Sequence, residues 1–195
     1  MADLKNRLLR HLRAAREGLL WKCEGLSERD LRLPRTPTGT NLLGLVKHCA
    51  YIEHGYFVTC FSQPSPIVIP DLDYDADPIA DLYATAEESA ADLLALYRRV
   101  AEVVDAVIEA LPLEAPGHVE WWGERGDTTL GEVLVHVLGD VTRHAGQADI
   151  LREGIDGQVG LRPSSSNVWE PSSGWQETVA RLTRIAEMAG EPHSR

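Results

Sequence analysis

His136, Asp140 and His144 follow one another at four-residue intervals in LGEVLVHVLGDVTRHAGQADILREG. On a helix of about 3.6 residues per turn, that spacing projects all three from one side. Imidazole nitrogens and carboxylate oxygens are ligands for divalent metal ions, and two imidazoles with one carboxylate leave coordination positions open for chemistry. A single helix cannot enclose an ion, and His48, in TNLLGLVKHCAYIEHGYF, is the other histidine in a strongly helical setting. The pattern predicts two helices gripping one ion. Periodicity leaves open whether His136 or His144 binds with Asp140, because each lies one turn away. It also leaves open two other fates for a carboxylate at the margin of the apolar stripe Val133, Val137 and Val141: a hydrogen bond to histidine without an ion, or plain exposure on a mixed face. His54 lies six residues after His48, about 240° round the helix at ~100° per residue, so a surface or loop contact is expected for it instead.

These side chains need helices to hold them. Leu4, Leu8, Leu12, Ala15, Leu19 and Leu20 recur at helical spacing with arginines on the other side, which predicts a first long helix from Leu4 to about Glu24, stopped by Gly25. Ser27 with Asp30 caps a short turn, and Pro34, Thr36, Pro37 and Gly39 make a loop. Thr40 or Asn41 then caps a second helix to about Phe61, with Leu42, Leu45, Val46, Cys49 and Ile52 on its buried side and His48 beside that stripe. Residues 62–80 carry three prolines among the first nine and several aspartates, so they read as an irregular crossover. Thr85 with Glu88 forms a capping box for a third helix ending near Ala110, with Leu93, Leu94, Tyr97, Val100, Val104 and Ile108 inward. A loop from Leu111 to Asp127 holds Trp121 and Trp122. Thr129 with Glu132 opens the fourth helix, which carries the histidines and stops at Gly154, and Ser173 with Gln176 opens a last helix to Ala189. No segment alternates over strand length. The expected fold is therefore all-α, one domain over residues 1–195: a four-helix bundle with a short extra helix and a C-terminal helix, an architecture that builds metal sites from side chains facing across its core.

Composition removes several function classes. A formal net charge of −11 with no basic stripe opposes nucleic-acid binding. No stretch approaches the ~18–20 uninterrupted apolar residues of a membrane span, and the N-terminus lacks the apolar centre of a signal peptide, so a cytoplasmic protein is expected. Cys23, Cys49 and Cys60 form no CxxC pair and read as reduced thiols, Cys49 in the core and Cys60 as inert packing with nothing basic nearby. No Ser-His-Asp arrangement stands out. Trp121, Trp122, Trp169 and Trp175 flank the bundle ends, where they either wall a pocket or fill the core. Arg143, next to His144, either pairs with an anionic ligand or makes a solvated salt bridge.

The runs HVLGDVTRHAGQADILRE and VKHCAYIEHGYF, set in a chain patterned as a helical bundle, closely resemble the DinB-like superfamily of metal-binding four-helix bundles. Over most of the chain the match is closest to its actinobacterial branch, related to mycothiol-dependent enzymes such as maleylpyruvate isomerase and the mycothiol S-transferases. In that family one ligand comes from the second helix and two from the fourth, as a carboxylate or histidine followed four residues later by a histidine and a small, Gly-containing step. Carried onto this chain, the resemblance implies His48, Asp140 and His144 as ligands, with His144-Ala145-Gly146-Gln147 as the motif's tail and His136 in a supporting role. Asp140 departs from the longer Glu or the His more usual there, and a shorter side chain requires the helix closer to the ion or a different carboxylate mode. The resemblance further implies a divalent ion, zinc first with nickel or iron as other occupants, and a low-molecular-weight thiol presented as thiolate to a small electrophile. Arg143, Trp121 and Trp122 are weaker candidates for touching thiol or substrate. Two other functions fit the same residues: a non-catalytic, stress-related bundle that binds metal or a small ligand, and a metal-dependent hydrolase with water in the open position. Pairing of helix faces into a homodimer suits such bundles.

Overall fold

Leu9, Leu12 and Leu19 turn to one side of the first helix, α1 (Ala2–Trp21), and bury that side against its neighbours. The computed structural model describes residues 2–162 and 165–190. Arg16 departs from the expected arginine-out pattern: it is buried, because Glu53 of a facing helix takes its guanidinium. Hydrogen-bonded turns replace the last turn predicted for α1 and end at Gly25 (φ +74°). Ser27 caps the short α2 (Glu28–Arg32) by accepting from the Asp30 amide.

Asn41 is the cap of α3 (Leu42–His54), its side-chain oxygen accepting from the Gly44 amide at 2.8 Å. The helix does not run on to Phe61 in α form. From Gly55 to Thr59 it widens into a π-helical turn, closed by Cys60 N–H donating to Gly55 C=O at 3.0 Å. That geometry buries the consecutive Tyr56, Phe57 and Val58, which one narrow α-helical stripe would not do.

The crossover that follows is irregular, as expected, and leads to α4 (Ala90–Ala110). The Thr85/Glu88 capping box does not start this helix. Glu88 accepts from the Thr85 amide at 2.8 Å, but its carboxylate also holds the Lys47 ammonium of α3 at 2.9 Å, which closes a turn ahead of the helix. Ser89 is the cap, accepting from the Asp92 amide. The predicted loop after α4 contains two three-residue strands, β1 (Pro116–His118) and β2 (Asp127–Thr129), paired antiparallel around a 3₁₀ segment (Glu120–Arg125) that carries both tryptophans. Strands this short leave no readable alternation. Thr129 caps α5 (Leu130–Asp156), which passes Gly154 and ends at Gly157 in the left-handed conformation (φ +77°).

The architecture is an all-α bundle with this small hairpin attached. α1 packs along α5, while α3 lies between α4 and α5. Val133, Val137 and Val141 of α5 and Leu42, Leu45, Val46 and Cys49 of α3 are in the shared core. This packing aims the neighbouring faces of α3 and α5 at each other. A last helix, α6 (Gly174–Gly190), leaves Val179, Leu182, Ile185 and Met188 exposed. Among the described residues, no helix is long and apolar enough to cross a membrane.

Candidate metal centre

His48, Asp140 and His144 meet where α3 faces α5. Each offers one ligand atom, and these atoms lie within 4.8 Å of one another. Asp140 Oδ2 is 3.6 Å from His48 Nε2, and Asp140 Oδ1 is 3.5 Å from His144 Nε2. The two imidazoles stand edge to face, with ring centroids 4.7 Å apart. Between His136 and His144, the one brought to Asp140 and His48 is therefore His144.

The far nitrogen of each imidazole is occupied. His48 Nδ1 is 2.7 Å from Asp81 Oδ2, and His144 Nδ1 is 2.8 Å from Gln147 Oε1. Carboxylate and amide oxygens only accept, so both Nδ1 atoms carry hydrogen and both Nε2 atoms are turned toward Asp140, that of His48 offering a lone pair once its proton is lost. This is the carboxylate–histidine arrangement that orients a metal ligand. The donor set thus fits a divalent ion: two oriented imidazole nitrogens and a half-buried carboxylate.

Asp81 is a residue that sequence reasoning missed, because it lies in the aperiodic crossover, 33 positions from its partner. Gly44 explains its place. Gly44 sits one turn before His48 on α3, and a Cβ there would come within 1.9 Å of the Leu82 carbonyl oxygen. The missing side chain lets the crossover lie directly on the helix. Asn41 Nδ2 reaches the same carbonyl at 3.4 Å, and the buried Lys47 ammonium donates to Tyr83 C=O at 3.1 Å. Asp81 directly precedes the two residues held by these contacts and reaches His48.

Charge follows geometry. Burial pulls the His48 imidazolium down, but hydrogen bonds and charge from Asp140 and Asp81 outweigh it and leave its pKa raised to about 9. Asp140 is held below the usual carboxylate range, first by its hydrogen bond to His48. His144 is lowered, first by burial and then by the neighbouring positive charges of His48 and Arg143, against the raising effect of Gln147 and Asp140. A cation held at His48 Nε2 would displace a proton from it.

His136 belongs to a different group. Its Nε2 is 3.1 Å from the Tyr56 hydroxyl, and its ring packs edge to face on Trp122. The same hydroxyl accepts from Trp121 Nε1 at 3.0 Å and Trp122 Nε1 at 3.2 Å. Indoles only donate, so Tyr56 spends both lone pairs on them and directs its own proton to His136 Nε2. No sequence spacing links these four residues; the π-helical turn and the 3₁₀ segment bring them together. His54 contacts the crossover through Ser65, as a loop contact would. Arg143 lines a shallow surface cavity together with Gln147. Trp175 borders a separate cavity near Lys22, and Trp169 is largely exposed.

A cavity of about 690 Å³ borders this centre through Asp81. Its walls include Tyr51, Tyr56, Tyr74 and Trp121. Compared with known protein families, the chain matches the model described as Mycothiol-S-transferase over residues 7–157, a span that takes in α3, α4, α5 and α1 from Arg7 onward. No curated protein matches it.

Proposed function

The chain belongs to the mycothiol-S-transferase family, and on that premise we propose that it joins a mycothiol-type thiol to a small electrophile at a divalent ion held by His48, Asp140 and His144. The observation that carries this reading is the convergence of three ligand atoms within 4.8 Å, with both histidines tied at Nδ1. A divalent ion in such a site supplies Lewis acidity that brings a thiol's pKa toward neutrality. The protein residues orient and tune. Asp81 and Gln147 fix both imidazoles with Nε2 inward, and Asp140 contributes the negative charge that favours a cation there. Zinc suits two nitrogens and one oxygen, and nickel or iron is accommodated by the same donors. The net reaction forms a carbon–sulfur bond, expels the electrophile's leaving group and releases the thiol proton.

The protein's own thiols are poor nucleophiles, which supports an external thiol. Cys49 is fully buried with its pKa pushed well above the ordinary thiol range, first by burial and then by Glu53 and Asp140. Burial likewise pushes Cys60 up to about 11 and Cys23 up to about 12.

Metal analysis by elemental mass spectrometry tests the reading. About one ion per chain is expected in the wild type, and His48→Ala, Asp140→Ala and His144→Ala are each expected to lose it. The loaded wild type should then consume thiol with a generic electrophile. A folded His144→Ala protein with full metal content would overturn the ligand assignment. Metal-dependent turnover of substrate without thiol would reassign the open position to water.

A further inference from the structure

Half of the large apolar side chains left exposed among the described residues fall in one short stretch, between Val159 and Met188, each 38% to 80% exposed. That stretch lies beyond the residues that the family model matches. Its apolar side chains form two adjoining surfaces. Val159, Leu161, Val168 and Trp175 wall a cavity of about 720 Å³ beside Lys22. From Trp175 the apolar face runs on along α6 through Val179, Leu182 and Ile185, at the spacing of one helical side. Among the described residues, no other element packs along α6. A 17-residue helix with one apolar side and no neighbour is marginal in water, so its stability comes from what covers that side.

Area, charge and size all fit a second copy of the chain. At roughly 150–250 Å² per large side chain, the exposed fractions leave roughly 900 Å² of apolar surface in this stretch, above an ordinary monomer's patch and near the ~800 Å² each partner gives to a stable interface. The chain carries a net charge of −11, yet in α6 Arg181 and Arg184 offset Glu177 and Glu187, and all four lie off the apolar side. Two acidic bundles can therefore meet through α6 without bringing like charges together. In an antiparallel pair, Trp175 of one helix lies opposite the small Ala186 of the other, and Val179 opposite Leu182, so bulky and small side chains interlock. Parallel pairing would set Trp175 against Trp175.

We propose that two copies pair through this C-terminal surface, α6 antiparallel on α6 about a two-fold axis, with the last α6 turn of the second copy closing over the cavity beside Lys22. The proposal rests on none of the thiol chemistry above.

Sedimentation velocity of the full-length protein, from about 1 to 300 µM, tests it. A reversible monomer–dimer equilibrium in the micromolar range is expected. Leu182→Glu puts a charge into the middle of the paired face and should weaken the dimer at least about tenfold. Ile150→Glu, at an exposed apolar position on α5, should leave it unchanged. Cys23, Cys49 and Cys60 are buried, so introduced cysteines report the pairing cleanly. A mixture of Val179→Cys and Leu182→Cys chains should oxidise to the mixed disulfide in preference to either like-with-like dimer. A monomer throughout the range, a dimer that Leu182→Glu leaves intact, equal weakening by Ile150→Glu, or a preference for like-with-like disulfides would overturn the proposal. So would a monomer that floats with phosphatidylcholine–phosphatidylglycerol vesicles, which would assign the face to a lipid surface.

Discussion

Asp81 decides which nitrogen of His48 faces Asp140 and His144, because a carboxylate 2.7 Å from Nδ1 keeps the hydrogen there. Replacing it with alanine should lower zinc affinity by about 10–100-fold, the usual effect of losing a ligand's hydrogen-bond partner. Competition with a chromophoric chelator measures this, and wild-type affinity in Asp81→Ala would remove the residue from the centre. Cysteine reactivity offers a second check at the same scale. Burial raises the Cys60 pKa to about 11, so the folded protein favours the thiol, and thiolate appears only as pH climbs toward that value. Iodoacetamide should therefore modify Cys60 slowly at pH 8, increasingly fast toward pH 11, and rapidly at pH 8 once urea unfolds the chain. Intact mass spectra across that series read it directly, and fast labelling of native protein at pH 8 would contradict the assignment. Of the residues in the cluster, the i, i+4 pair Asp140 and His144 was legible because both belong to one helix. Asp81 was not, since nothing in an aperiodic, proline-containing segment marks which carboxylate will meet a helix folded from distant residues.

At the scale of elements, the contact between α3 and the crossover does most to shape the site. Gly44 permits it, and Asn41 and Lys47 fasten it. Gly44→Ala would place a methyl group where the Leu82 carbonyl sits, forcing the crossover outward at a cost of about 1–3 kcal/mol. It should also loosen Asp81 and weaken zinc binding, so the variant is expected to lose both melting temperature and metal affinity. Wild-type values for both would show that the crossover is held elsewhere. The start of α4 illustrates why element boundaries were only partly readable. Thr85/Glu88 and Ser89/Asp92 are both capping boxes by sequence, and local rules give no preference between them. Lys47, some forty residues earlier, takes Glu88 in the fold and leaves Ser89 to cap the helix.

Across the whole molecule, a charged group sits in the bundle core. Arg16 of α1 bonds Glu53 of α3, which also accepts from the Tyr97 hydroxyl of α4 at 2.8 Å. Three helices are thus registered by one buried network, and Glu53→Ala would leave the Arg16 guanidinium without its main partner. Urea denaturation should show a loss of about 3–5 kcal/mol, whereas the joint Arg16→Met, Glu53→Leu, Tyr97→Phe variant should lose much less, because neither an unpaired charge nor an unpartnered buried hydroxyl remains. Equal losses would argue that packing rather than charge is at stake. α6 is the contrasting case: its apolar side is exposed, so helical periodicity marked the element without supplying what it packs on. The sequence by itself determined the helical class, the four bundle helices and the facing pair of ligand-bearing stripes, because hydrophobic periodicity and caps act within one helix. Periodicity left His136 and His144 open and the family resemblance pointed to His144; only the tertiary structure decided that Asp81 stands behind His48, that Arg16 turns inward, and that Tyr56 anchors Trp121 at the cavity. Each of those depends on which distant side chain or backbone carbonyl fills the opposing space, a quantity set by packing between elements and absent from any local pattern.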